Sequence, residues 1–320
     1  MPLLDIIVGY DCNLACDYCT ITPEMRERSL GTRAVVEALR RGPRGGYDRV
    51  SFTGGEPTIR GDLLPLVREA RRLGYADIKV QSNGLLFTEA NVTRLIDAGC
   101  NRFHISVHTH REDRYDDLVR REGAYSLMAQ GLDAVVRAVR AHADAGRGEL
   151  HLTVDLIIKA DTLNDLPDAV RWLHDRGVRS VHLWFVSLTD HNRENLESLP
   201  RMTDAVPKIT EALRFADAEG FECLSLHVPR CLLGEEFLAN VWDPGAQDVR
   251  VVTPDATFQL DASKITGQVY VPACDGCEYR DLCPGLREDY LEVYGDAEVA
   301  RVRGGPPSRA PTRFKTTPLP

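Results

Sequence analysis

The chain has 320 residues, 43% hydrophobic and 27% charged, with a formal net charge of -9, enough apolar material for a large core in an ordinary globular protein. The acidic excess is spread along the chain and no basic stripe interleaves with aromatics, which argues against nucleic acid as a partner. No apolar window approaches the length of a bilayer, and MPLLDIIVGYD at the N-terminus lacks the pattern of a signal peptide, so no membrane partner and a cytoplasmic location are expected. In chain order, apolar β-branched runs predict strands at 4–8, 49–52, 77–81, 102–107, 150–158 and 181–186, alternating with helical patterns. Over 62–73, Leu63, Leu66, Val67, Ala70 and Leu73 make one apolar stripe. A helix over 89–98 should stop at Gly99. Asn164 is placed to cap a helix reaching 174, with Gly177 behind it, and another helix is expected over 203–219.

Six such βα repeats predict an α/β fold, a partial (βα)6 barrel over residues 1–220. After Gly220 the rhythm changes. Residues 221–228 alternate like a strand, and 251–260 read as a hairpin turning near Pro254 and Asp255. A smaller C-terminal domain of hairpin and helix is therefore expected over 221–300. Residues 301–320, rich in proline and basic residues without apolar period, are expected to be a disordered tail.

Nine cysteines fall into two groups with short spacings, apart from Cys100 and Cys223. In a reducing compartment clustered thiols bind metal or do redox chemistry more often than they form disulfides. GYDCNLACDYCTI puts Cys12, Cys16 and Cys19 in a CxxxCxxC loop directly after the first strand, at the edge where βα folds build sites. Three thiolates can hold three irons of a cubane and leave the fourth open, whereas purely electron-transferring clusters take four cysteines. A zinc ion completed by a distant histidine is the other reading of the spacing.

Over roughly residues 4–190 the sequence resembles the radical S-adenosylmethionine (radical SAM) superfamily. The CxxxCxxC loop is one carrier of the resemblance. SFTGGEPTI after the second strand matches the family's GGEP motif, which implies that Gly54, Gly55, Glu56 and Pro57 bind the cofactor's methionyl amino group. Gln81-Ser82-Asn83-Gly84 and His104-Ile105-Ser106-Val107 look like ribose- and methionine-contacting positions, and Tyr18 matches an aromatic beside the adenine. Ser82, Asn83 and Ser106 are thus expected to contact the cofactor; as turn or core residues they would need no ligand. Asp155, His104, His108 and His110 lie near strand ends and receive no role. The resemblance implies a [4Fe-4S] cluster with one open iron, S-adenosylmethionine, a reducing partner such as flavodoxin or ferredoxin, and a 5'-deoxyadenosyl radical that takes hydrogen from an unactivated carbon.

CDGCEYRDLCPG supplies Cys274, Cys277 and Cys283, with Cys231 upstream. The spacing CxxCxxxxxC resembles auxiliary-cluster domains of the SPASM and shorter twitch type. Pro284, Gly285 and Leu286 stand where a further cysteine would follow, and Leu260 and Asp261 where one is expected in the hairpin. One auxiliary [4Fe-4S] cluster is expected; a structural zinc knuckle is the alternative. Cys223 has two readings, a packed core thiol or a donor of hydrogen to a substrate radical. Cys100 is expected to be buried and inert.

These observations predict an oxidoreductase or epimerase of specialised metabolism acting on a small polar molecule of sugar, cyclitol or nucleoside type. The first strand begins near residue 4, which leaves no room before it for a leader-peptide-binding domain and supports that substrate class. A peptide maturase or epimerase acting on a ribosomally made precursor is the second expectation. A non-catalytic iron-sulfur carrier or scaffold is the third; the GGEP segment speaks against it.

Overall fold

All six expected strands form in the computed structural model, which describes residues 2–242, 247–263 and 269–303. They are β1 (Leu3–Ile7), β2 (Arg49–Thr53), β3 (Asp77–Ser82), β4 (Arg102–Val107), β5 (His151–Ile158) and β6 (Ser180–Phe185). They lie parallel in chain order. Each alternates between two faces. Ile6, Phe52, Val80, Phe103, Val154 and Leu183 point outward into the apolar core under the helices, all fully buried.

The helices are α1 (Thr32–Arg41), α2 (Leu63–Arg72), α3 (Glu89–Ala98), α4 (Glu112–Val119), α5 (Ala124–Asp144), α6 (Leu166–Asp175) and α7 (Met202–Glu219). The Thr88 side chain caps α3 by accepting from Asn91 N at 3.2 Å, and Gly99 ends it with φ +118°. Asn164 does not cap α6. It lies in a 3-10 turn, Leu163–Asp165, that runs straight into the helix, and the residue before the helix, Asp165, is itself right-handed helical.

The strand after Gly220 departs from expectation. β7 (Glu222–Leu226) pairs parallel with β6, and β8 (Val241–Trp242) with β7, so the sheet continues past the expected domain boundary at 221. The hairpin forms as expected from β9 (Val249–Val252) and β10 (Thr257–Gln259). β9 lies parallel against the free side of β1, and Asp255 in its turn accepts from Tyr10 at 3.1 Å and pairs with Arg28 at 2.6 Å. Among the described residues the result is a ten-stranded open sheet with β10 and β8 at its edges.

Among the described residues three short helices lie outside the sheet: α8 (Arg230–Leu233), between β7 and β8, and α9 (Glu288–Tyr294) and α10 (Ala297–Arg303) after the hairpin. A buried Arg287–Asp289 pair ties α9 to the barrel. Arg287 donates to Phe185 O at 3.0 Å, and Asp289 accepts from Leu188 N at 2.8 Å. Residues 301–303 of the expected tail belong to α10; 304–320 lie outside the described residues.

Candidate active site

The loop after β1 carries Cys12, Cys16 and Cys19, and none of the nine cysteines is in a disulfide. Its position is set by backbone contacts. Ala15 N donates to Val119 O and Asp17 N to Leu118 O at the end of α4, while Arg26 Nη1 donates to Cys12 O and Leu14 O at 3.3 and 2.9 Å. On the other side the GGEP turn lies directly on the cysteine loop, with Gly55 N to Gly9 O at 2.9 Å and Glu56 N to Asp11 O at 2.8 Å. A Cβ on Gly54 would stand 2.2 Å from Gly9 O, and one on Gly55 2.1 Å from Asp11 O. Two loops in backbone contact leave no space for side chains, which is the physical reason for both glycines.

The three cysteines on this loop are partly buried. Burial pushes the Cys16 thiol up to about 12, and the neighbouring Cys19 and Cys12 add to the effect. Thiolates gathered this way need a cationic partner, as an iron-sulfur cluster provides. They line a cavity of about 160 Å³ together with Tyr18, Arg26, Gly54, Gly55, Gln81, Ser82, Asn83, Ser106 and His108. The donor set fits a cluster and an amino-acid-bearing ligand.

Most sequence-predicted contacts reach this cavity. Glu56 and Pro57 lie behind its wall. Glu56 is 2% exposed, and its carboxylate accepts from Thr58 N, Thr58 Oγ1, Ser82 Oγ and Asn83 N at 2.9, 2.5, 2.8 and 2.8 Å. Burial raises its pKa against these four donors. In this structure Glu56 braces the end of β3. Asn83 reaches across to Asn13 Oδ1 at 2.7 Å, so the cysteine, GGEP and β3 loops form one hydrogen-bonded unit.

Tyr18, expected beside the adenine, reaches the cavity with His108, and a lysine that carried no sequence signal stands beside them. The Tyr18 hydroxyl lies 2.9 Å from Nδ1 of His108, and burial lowers the His108 pKa to about 3, keeping the ring neutral. Lys159, with 3% of its side chain exposed, donates to both oxygens of Asp17 at 2.7 and 2.6 Å and stands over the Tyr18 ring. Arg26 and Lys159 belong to no short motif, and the partner of Lys159 lies far away in sequence.

Gln81 also lines a second cavity of about 320 Å³, the barrel's inner face. Lys79, His104, Asp155, His182, Trp184, Leu224, Trp242 and Leu260 belong to its wall. Cys223 lies elsewhere. It neighbours Leu224 on β7 and so points to the opposite face, 1% exposed in the outer core. Because a hydrogen donor must reach the substrate, the catalytic reading of Cys223 is corrected to a packing one. Cys100 is likewise buried, its thiol donating to Arg102 O.

Outside the sheet, Cys231, Cys274, Cys277 and Cys283 line one small cavity with Tyr270, Leu286 and Val299. The turn is knit by Cys277 N to Cys274 O and Arg280 N to Cys277 O. Arg230 of α8 donates to Leu282 O, and Tyr270 to Cys283 O at 3.0 Å.

A parallel barrel wall carrying CxxxCxxC at the end of its first strand, backed by a GGEP turn, defines the class of radical SAM enzymes. The family model "Radical SAM superfamily" matches residues 6–173, and the chain belongs to this superfamily. Membership implies a [4Fe-4S] cluster and S-adenosylmethionine. A probable GTP 3',8-cyclase of Metallosphaera sedula is 28% identical over 187 residues, 57% of this chain and 55% of the relative. A GTP 3',8-cyclase of Alkaliphilus metalliredigens is 32% identical over 131 residues, 39% of this chain and 40% of that one. The chain therefore matches about half the length, or less, of these curated relatives. Native anSMEcpe with bound AdoMet shares the fold at a TM-score of 0.66 and 14% identity, covering 94% of this chain and 96% of its own. Streptococcus suis SuiB bound to precursor peptide SuiA does so at 0.61 and 13%, covering 79% and 58%. Among the described residues no helix is long and apolar enough to cross a membrane.

Proposed function

We propose that the protein removes a hydrogen atom from an unactivated carbon of a small polar molecule, of sugar, cyclitol or nucleoside type, and that the net reaction is a dehydrogenation. The observation that carries this reading is the inner cavity. It adjoins the cysteine cavity through Gln81 and combines hydrogen-bonding groups, Lys79, His104, Asp155 and His182, with the faces of Trp184 and Trp242. Polar rings are held in this way, by directed hydrogen bonds and aromatic walls. Dehydrogenation is preferred to epimerisation because the lone thiol, Cys223, faces away from the cavity.

In this reading Cys12, Cys16 and Cys19 hold the cluster, and Tyr18, Gly54, Gly55, Ser82, Asn83 and Ser106 surround S-adenosylmethionine, with Glu56 and Pro57 fixing the wall behind them. When bound, these groups supply a 5'-deoxyadenosyl radical, using an electron from flavodoxin or ferredoxin. Arg26 holds the cysteine loop in place, and the Lys159–Asp17 pair closes the cavity beside Tyr18. The wall keeps water from the reacting centre and the C–H bond close to the cofactor. Cys231, Cys274, Cys277 and Cys283, in a C-terminal auxiliary unit, hold one further [4Fe-4S] cluster that supplies an electron acceptor for the oxidation.

The likeness to a SuiB complex with a precursor peptide supports a second reading, a peptide substrate. Loaded enzyme incubated with perdeuterated sugars, cyclitols and nucleosides, and separately with deuterated peptides, separates the two by mass spectrometry of 5'-deoxyadenosine. Deuterium transfer from a small polyol or nucleoside is expected. Transfer from peptides alone would overturn the first reading.

A further inference from the structure

Three side chains inside the barrel converge without serving the cofactor cavity. His104 on β4, Asp155 on β5 and His182 on β6 come from adjacent strands, with Asp155 directly opposite His182 in the ladder. One ligand-capable atom from each lies within 4.8 Å of the others. Nδ1 of His104 stands 3.6 Å from Oδ2 of Asp155, and Nδ1 of His182 stands 3.6 Å from Oδ1. These separations are too long for hydrogen bonds. The carboxylate takes its hydrogen bonds from Trp184 Nε1 at 3.0 Å and Gln81 Nε2 at 3.3 Å. Ligand atoms on one tetrahedral ion stand about 3.3 Å apart, given bonds of about 2.0 Å, so the three side chains, already within 4.8 Å of one another, would draw together on an ion.

We propose that His104, Asp155 and His182 bind a divalent transition-metal ion of the zinc or iron(II) kind, leaving a coordination position open to the barrel cavity for an oxygen of the substrate. Two imidazoles and one carboxylate are a donor set suited to such ions and not to calcium or magnesium. The supports around ligating groups are also present. Trp184 and Gln81 orient the carboxylate, as above. Behind His182, Oε2 of Glu222 faces Nε2 at 4.0 Å and is held by Ser180 Oγ at 2.6 Å, which in turn contacts Thr153 Oγ1 at 3.1 Å. Carboxylates behind metal-bound histidines accept a hydrogen bond from the second ring nitrogen, and Glu222 would close from 4.0 Å to do so.

Charged groups of both signs surround the site. Arg49 and Arg102 pair with Asp77 at 3.0 and 2.9 Å, and Lys79 interacts with Asp5 as well as with His104. An ion here would hold a hydroxyl, carbonyl or carboxylate of the substrate beside Gln81. That last step rests on the proposed function; metal binding itself does not.

The test is equilibrium dialysis of the iron-sulfur-loaded enzyme against zinc chloride, with iron, sulfide and zinc counted on the same sample, for wild type and a His104→Ala/His182→Ala double variant. One zinc per chain is expected in wild type, with affinity reduced at least about a hundredfold in the variant at unchanged iron content. Zinc absorption spectroscopy on wild type covers a variant that fails to fold. It should show nitrogen and oxygen neighbours at about 2.0–2.1 Å with imidazole scattering and no sulfur at about 2.3 Å. No zinc in wild type, equal zinc in the variant, or a sulfur shell would overturn the proposal. None of these readouts requires cofactor cleavage, so failure here and failure of the radical reading are distinguishable.

Discussion

Cys12, Cys16 and Cys19 sit on a loop bonded backbone to backbone to the GGEP turn and to the end of α4, whereas Cys231, Cys274, Cys277 and Cys283 come from short turns outside the sheet, joined by few side chains such as Arg230 and Tyr270. The first group is positioned by the fold itself. The second depends more on what it binds, since metal binding and local folding are linked where a site is not otherwise braced. Loss of a cysteine should therefore mean different things in the two places.

Cys16→Ala should abolish 5'-deoxyadenosine formation while the metal-free protein melts as wild type does; full turnover by this variant would break the comparison. Cys277→Ala should retain cofactor cleavage within a few-fold but lose about four irons and substrate turnover, and its C-terminal segment should become more susceptible to proteolysis. Gly55→Ala sharpens the point about backbone contact. With a Cβ 2.1 Å from Asp11 O, it should cost about 1–3 kcal/mol in denaturant unfolding and impair cleavage although no ligand changes. Asp17→Asn removes the nearer carboxylate of Lys159 and leaves Asp161 at 3.5 Å, so about 1 kcal/mol of stability should be lost.

An effect seen only on acidification concerns the junction of the two regions. His227 is buried with neither ring nitrogen bonded, and burial, reinforced by Arg287, lowers its pKa to about 3. The unfolded chain protonates this residue below about pH 6.5 and the folded chain does not until about 3, so stability falls as pH drops through that window. Its share at pH 5 is about 2 kcal/mol. His227→Asn, which tolerates the φ of +71°, should flatten the fall between pH 7 and 5 by that amount in urea titrations.

Much of the first region was legible in the sequence because its chemistry is local. CxxxCxxC and GGEP are contiguous, and the six strands alternate strongly enough to be placed within about two residues of their ends. β7 was legible as a strand but not as part of the barrel wall, because alternation does not say which neighbour a strand pairs with. Glu56 was read as a ligand, and only the fold shows that Thr58, Ser82 and Asn83 occupy its carboxylate. His182 and Trp184 carried no motif. Their importance comes from sharing an inner face with Asp155 on the neighbouring strand. The role of Cys223 turned on one residue of register, which decides between cavity and core.

The most direct test of the account is anaerobic reconstitution with iron and sulfide, reduction in the presence of S-adenosylmethionine, and chromatography for 5'-deoxyadenosine with iron and sulfide counted on the same sample. The account predicts deoxyadenosine together with about eight irons and eight sulfides per chain, two cubanes' worth. A fully loaded protein that forms no deoxyadenosine, alone or with the candidate substrates, would contradict it.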